Sequence, residues 1–440
     1  MAATAGNGKS LGLAACTAVV VGNMVGSGFY LSPSAVAPYG WLAIAMWIVM
    51  GVGAVCLGLT FARLAAIAPA TGGPYAYTRM AYGDFAGFLI AWGYWISVWA
   101  SLPAIAFAFA GSLMNMLPAL NNKPMALTLT LGAFWAVVLI NLRGVKAAGR
   151  FAEITTYTKL VPFLAIAFIG LFYVQADHLS QFNPSGEPLL TAAAALAPLT
   201  MFAYLGLESA TVPAGDVRDA ARTIPRSTII GIGIAAALYV LGTVVVLGVV
   251  PREQLMKSVA PFADAARLMW GDWASVAVAI AIAVIVSSIG ALNGWTLLMG
   301  QVPMAAAQDR LFPRVFGRLS RRGVPALGIV ISAALATLMV AFQALGAPGV
   351  RAFYNLVVGL STMTAVIPYA FCALAVPLVA ARAGADGSRR PRVGVVGVIA
   401  FVFSLFTIYG CGPTAVLYGL MLLLLGLPVY VWQRRQAVKG

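Results

Sequence analysis

Between residues 11 and 432 the chain runs through twelve apolar stretches, each long enough to cross a bilayer, and that succession leaves few folds open. The stretches fall near 11–36, 41–67, 86–117, 125–142, 155–175, 191–214, 227–250, 272–305, 325–345, 353–381, 394–410 and 413–432. In hydrocarbon every backbone N–H and C=O must find a partner within the protein, so runs of this length and number read as transmembrane helices. Composition agrees. Charged residues make up 9% of the chain and hydrophobic ones 62%, against about 25% charged in soluble domains. The net charge of +15 would suggest nucleic acid in a soluble protein. Here it is the ordinary enrichment of cations in loops that stay in the cytoplasm, and no nucleic-acid partner is expected. Lys9 before an apolar run imitates a signal peptide, but no A-x-A-like cleavage site follows, so the stretch reads as the first span. Cys16, Cys56, Cys372 and Cys411 lie in or beside apolar segments without metal-ligand spacing and read as small buried hydrophobes.

Orientation follows from the cations. Of 27 Lys and Arg, 21 fall on one side of a twelve-span arrangement and 5 on the other (Lys123, Arg252, Lys257, Arg267 and Arg351), while Lys159 sits inside a span. That split places both termini in the cytoplasm of a multi-pass protein, which for a bacterial chain means the inner membrane.

Two spans carry interruptions. The first contains Gly22-Asn23-Met24-Val25-Gly26-Ser27-Gly28 and the sixth contains Ala203-Tyr204-Leu205-Gly206-Leu207-Glu208-Ser209. Each Gly weakens a helix by roughly 1 kcal/mol relative to Ala, and Asn and Ser compete for backbone hydrogen bonds. Gly22 and Gly26 also form a G-x-x-x-G pair, which close helix packing alone would explain. The matching positions of the two breaks favour a binding loop. Two five-span halves of opposite topology, 11–175 and 191–381, would each begin with a broken helix, and freed backbone groups near the midplane would receive a substrate. Helices eleven and twelve (394–432) and the tails 1–10 and 433–440 complete this division of the chain.

Few residues at membrane depth can carry chemistry. Glu208 is the one acidic residue of twelve lying deep within a span. A carboxylate there costs several kcal/mol unless paired or solvated, and marks proton or substrate-amine handling by default; the plainer alternative is a structural Glu satisfied by unwound backbone beside Gly206. Lys159 has two readings: snorkelling to a nearby surface about three turns away, or an ammonium standing where other transporters bind a metal cation. Tyr94, Phe202 and Trp295 lie beside polar breaks, and a Trp face can hold a cation. Ser361 and Thr362 give the tenth span a hydroxyl face, and the lone His178 falls in a loop. With no nucleophile–base pair, phosphate loop or metal-ligand cluster in the sequence, neither an enzyme nor a cofactor is expected.

These motifs resemble the amino acid–polyamine–organocation superfamily. The first-helix glycine run, Gly72-Gly73-Pro74-Tyr75-Ala76-Tyr77, Leu205-Gly206-Leu207-Glu208-Ser209-Ala210, Pro261-Phe262-Ala263-Asp264-Ala265-Ala266-Arg267 and Gly294-Trp295-Thr296-Leu297-Leu298 are similar to its basic amino acid/polyamine antiporters, the arginine/agmatine type above all. The resemblance implies an all-α membrane protein of twelve transmembrane helices. Its fold would be a LeuT-type 5+5 inverted repeat with helices 1 and 6 broken, two helices added at the C-terminus, and a homodimer as the usual assembly. It implies alternating-access exchange of a cationic amino acid for its amine product, with proton-coupled neutral amino acid transport as the alternative. Carried over by position, Ser27 and Gly28 would hold a carboxylate, and backbone carbonyls of Met24, Phe202 and Leu205 an α-amino group. Trp295 would stack on the side chain, Ser361 would bond it, and Ser97, Val98 and Ile105 would line the pocket. Tyr94 and Phe202 would gate the outer side, and Glu208 and Tyr75 would couple to protons. Leu102 stands where the arginine antiporters carry an Asn, and Lys159 matches a lysine of neutral amino acid transporters.

Overall fold

A computed structural model describes residues 11–68, 70, 72–120, 122–144, 154–155, 158, 163–212, 214, 217–258, 260–271, 274–344, 350–382 and 390–439. Those residues form helices and connecting turns, with a single isolated parallel bridge between Leu11 and Val217. The helices follow the apolar runs closely. The first half contains α1 (Leu13–Met24), α2 (Ser27–Tyr30), α3 (Trp41–Ile67), α4 (Pro74–Tyr82), α5 (Asp84–Met116), α6 (Lys123–Leu142) and α7 (Phe163–Tyr173, its last turn 3-10). Then come α8 (Leu189–Tyr204), α9 (Ala220–Val249), α10 (Pro261–Trp270), α11 (Ala274–Gln308), α12 (Ala326–Ala344) and α13 (Val350–Arg382). The C-terminal part holds α14 (Arg390–Gly410), α15 (Gly412–Leu424) and α16 (Gly426–Lys439). Among the described residues, eight helical stretches are long and apolar enough to cross a membrane, and four further apolar helices are shorter.

Lipid tails are as apolar as Leu, so these helices associate through close packing and small residues rather than through hydrophobic burial. Gly231 of α9 sits where a Cβ would lie 2.5 Å from Val20 of α1, and Gly58 of α3 where one would lie 2.2 Å from Ile232 of α9. The opposite face of α3 exposes Ile48, Val52, Val55 and Leu59, spaced to form one stripe toward lipid.

The first break lies where its composition places it. Helix α1 ends at Val25, whose φ −77° and ψ 93° are extended, and the chain resumes helically at Ser27. The second break follows α8, where Leu205 is extended and Gly206 adopts φ +99°, a conformation that favours glycine. A 3-10 turn, Ser209–Thr211, then leads out of it.

Candidate functional site

The two breaks meet. Asn23, in the last turn of α1, donates from Nδ2 to Ser209 Oγ at 2.8 Å, and Ser209 Oγ donates to the Gly206 carbonyl at 2.5 Å. Glycines admit this contact from three sides. A Cβ on Gly294 of α11 would stand 1.9 Å from Asn23 Oδ1, one on Gly206 would stand 3.0 Å from Asn23 Cβ, and one on Gly26 would stand 2.8 Å from Ala291 Cβ. One residue beyond Gly294, the Trp295 indole N–H donates to the Asn23 carbonyl at 3.3 Å. Gly26 packs on α11 and also lines a cavity.

That cavity is a small one, lying between the breaks. Asn23, Met24 and Gly26 line it from the first break, Phe202 and Leu205 from the second, Ser101 and Ile105 from α5, and Ala291 and Trp295 from α11. Among these described residues none is acidic. An ammonium desolvated here would rely on unwound backbone carbonyls, the Ser101 oxygen and the face of Trp295.

Glu208 lies within the second break and is fully buried. Its Oε1 accepts the hydroxyl of Tyr94 from α5, and its Oε2 accepts the hydroxyl of Tyr369 from α13. Thr211 Oγ1 donates to the Glu208 backbone carbonyl at 2.6 Å. The carboxyl thus ties the second break to two long helices, and a proton on it would compete with a tyrosine for one of its oxygens. Just past the first break, Tyr30 stacks on Phe163 with ring centroids 4.5 Å apart, and Phe29 contacts Tyr239 and Phe262 at 4.8 and 4.9 Å.

A second polar cluster lies at the far end of α11. Tyr75 donates to Asp309 at 2.5 Å, Arg79 pairs with Asp309 at 2.9 Å and with Asp84 at 2.8 Å, and Arg434 of α16 reaches Asp84 at 2.7 Å. Burial, then the bond to Asp309, raises the Tyr75 hydroxyl above its ordinary pKa, so it stays protonated through the neutral range and serves as a donor. Helix α4 also touches the second break: Gly72 N–H bonds the Val212 carbonyl at 3.2 Å, and a Cβ on Gly73 would stand 2.8 Å from Thr211 Oγ1.

Comparison with known proteins fits this arrangement of broken helices around a cavity. The family model for amino acid permeases matches residues 11–420. A cadaverine/lysine antiporter of Escherichia coli strain K12 is 32% identical over 365 residues, 82% of this chain and 82% of that protein. The chain belongs to the amino acid permease family. A putrescine transporter of the same strain is 27% identical over 429 residues, covering 96% of this permease and 95% of the relative. Another from Haemophilus influenzae is 26% identical over 424 residues, covering 96% of each. The resemblance to the basic amino acid/polyamine antiporters is thereby supported on most of the chain.

The permease brings some of the expected site residues together and sends others elsewhere. Met24, Ile105, Phe202, Leu205 and Trp295 line the cavity. Ser97, Val98 and Ser361 do not. Ser97 Oγ donates to the Tyr94 carbonyl at 2.8 Å, the Val98 carbonyl accepts from Ser101 at 2.8 Å, and Ser361 Oγ donates to the Ser97 carbonyl at 3.0 Å. Leu102 is buried but off the cavity wall, where Ser101 stands instead. Tyr94 bonds Glu208, and Tyr75 bonds Asp309. Ser27 and Gly28 open α2 beside Gly26, their side chains lying outside the described residues, as does Lys159. Asn23, within the interrupted first span, and Ser101 and Ala291, not singled out by the sequence, also line the cavity. The signal for two of them was available: Ser101 is one helical turn before Ile105, and Ala291 one turn before Trp295.

Proposed function

We propose that this permease exchanges a cationic amino acid for its amine product by alternating access, within a LeuT-type 5+5 inverted repeat of twelve membrane helices in a bacterial inner membrane. Both termini would face the cytoplasm, and two copies would pair as a homodimer. The observation carrying this reading is the cavity held between two helix breaks, with Trp295 on its wall. In this reading the backbone carbonyls of Met24, Phe202 and Leu205 would take an amino group, Ser27 and Gly28 would take a carboxylate, and Trp295 would face the distal cation. The named relatives handle putrescine, cadaverine and lysine, so lysine/cadaverine-type and arginine/agmatine-type exchange both belong to the proposal.

One observation favours a second reading, proton-coupled transport of a neutral amino acid. No described lining residue is acidic, while a buried carboxyl, Glu208, stands close by in the second break. Proteoliposomes loaded in turn with putrescine, cadaverine, agmatine, lysine, arginine and alanine separate the two. Exchange predicts uptake stimulated by an internal amine. Uptake of alanine into empty vesicles driven by a pH gradient alone would replace it with the second reading. Lys159, taken as a fixed stand-in for a bound cation, predicts that added sodium leaves uptake unchanged; strict sodium dependence would remove that role.

Trp295 and Ser101 test the site itself. Trp295→Leu is expected to cost about 1–2 kcal/mol in binding a cationic substrate, roughly tenfold in affinity, and much less for alanine. Equal losses for both would make the ring a simple wall. Ser101→Ala should weaken a diamine more than an amino acid lacking a distal amine, read by competition binding in detergent.

A further inference from the structure

The segment joining α11 to α12 carries chemistry that transport does not use. From Arg310 to Arg322 it holds five arginines (Arg310, Arg314, Arg318, Arg321 and Arg322) and no acidic residue. All five are exposed, and none forms an ion pair with a described residue. Between them Val315 and Leu319 are also exposed, at 40% and 53%. The nearest carboxylate in sequence, Asp309, is occupied by Arg79 and Tyr75, and Asp84 by Arg79 and Arg434. Among the described residues, no carboxylate pairs with any of the five guanidiniums.

The segment is also built rather than loose. Arg310 takes φ +61°, and the N–H groups of Leu311 and Phe312 turn back onto the Ala306 carbonyl at 2.9 and 3.2 Å, closing the end of α11. Leu311 and Phe312 are buried, with the Phe312 ring 5.8 Å from Phe88 and 5.7 Å from Trp92, and Phe316 5.9 Å from Trp95. Ser320 N–H and the Val324 carbonyl close a second turn at 2.9 Å. Apolar anchors thus face inward, while arginines and two aliphatic side chains face outward. Both ends of the segment emerge from helices that cross the membrane by length and composition or are its shorter apolar equivalents, Ile282–Gln308 and Ala326–Phe342. The outward face is therefore held at the bilayer surface. Retention of cations on one side explains charge alone. It does not require an ordered segment or exposed aliphatic residues between the charges. Guanidiniums grip phosphate oxygens in pairs, and apolar side chains beside them enter the headgroup boundary.

We propose that the 310–322 segment is a docking surface for anionic phospholipid headgroups of the leaflet it faces, with Arg314, Arg318, Arg321 and Arg322 on the phosphates and Val315 and Leu319 in the interface. The full-length protein in neutral detergent, titrated with short-chain phosphatidylglycerol or phosphatidylcholine and read by native mass spectrometry, tests this. Phosphatidylglycerol should remain bound, phosphatidylcholine should not, and molar salt should strip the former by screening. Replacing the four arginines together by Gln should weaken phosphatidylglycerol retention roughly tenfold or more. Replacing the same four by Lys should keep most of it, which guards against a variant that fails to fold. Retention in the Gln variant equal to wild type, equal binding of phosphatidylcholine, or insensitivity to salt would each overturn the proposal. Complete displacement by millimolar inorganic phosphate would also overturn it, since the surface would then bind a free anion.

Discussion

Gly294→Ala is expected to abolish substrate binding and transport while leaving a helical, monodisperse protein. The added methyl would fall 1.9 Å from Asn23 Oδ1, far inside any tolerable contact, so Asn23 or the α11 backbone must move. A side-chain movement breaks the Asn23–Ser209 bond, and a movement of the α11 backbone shifts the Trp295 N–H from the Asn23 carbonyl. Overpacking of this kind costs about 1–3 kcal/mol, and an orphaned buried amide about 1–3 kcal/mol more. If both fall on the binding-competent arrangement, together about 2–6 kcal/mol, they predict a loss in affinity of at least about thirtyfold, read by calorimetry or scintillation proximity on purified protein. Gly233→Ala in α9 is the control, because a Cβ there meets nothing within 4 Å. Asn23→Ala combined with Gly294→Ala removes the collision but not the loss of the clamp, so thermal stability should recover while binding does not. Wild-type affinity in Gly294→Ala would mean that the two breaks need not be held together for binding.

Glu208→Gln is expected to flatten the dependence of initial uptake on pH without unfolding the protein. In the native arrangement each carboxylate oxygen accepts one tyrosine hydroxyl. The carboxamide keeps nearly the same shape but offers one acceptor and one NH₂ donor, and it cannot exchange a proton near neutrality. Were Glu208 only a strut between α5, the second break and α13, Gln would preserve the pH profile and merely lower the rate. Uptake measured from about pH 5 to 8, the range over which a proton-coupled carrier must respond, decides between these. Tyr369→Phe and Tyr94→Phe remove one donor each and should displace the profile while keeping its steepness, since the titrating group remains. Glu208→Ala is the severe case. It leaves two buried hydroxyls without an acceptor, at about 1–3 kcal/mol apiece, and should reduce the yield of folded protein. A Glu208→Gln variant that titrates like wild type would end the proton-coupling role. Tyr75 would not inherit it readily, because burial and Asp309 hold its hydroxyl protonated through that range.

The helices were legible in the residues themselves. The run at 41–67 became α3, Trp41–Ile67, and the third run became Asp84–Met116, because twenty or more apolar residues in lipid have only one way to satisfy their backbone. The breaks were legible too. Gly22 to Gly28 and Leu205 to Ser209 concentrate residues that weaken helices, and the chain leaves the helix at Val25 and at Leu205. Beyond the first break the chain continues as α2 and a short helix, Ser32–Val36.

What the residues alone could not determine was rotation. In a soluble helix the polar stripe shows which face is buried, but in a membrane helix both the lipid and the protein faces are apolar, so that signal is lost. Ser101 rather than Leu102 therefore reached the cavity, and the Ser97 and Ser361 hydroxyls donate to backbone carbonyls. The partners of Glu208 were equally hidden. Tyr94 lies 114 residues before it and Tyr369 161 residues after it, and no local pattern joins positions so far apart. Sequence alone determined that a carboxyl would be buried beside a broken helix, because hydrophobic runs and glycines act locally. Which hydroxyls satisfy that carboxyl, and that Asn23 clamps one break to the other, only the tertiary structure decided, because both depend on how close small residues let distant helices approach.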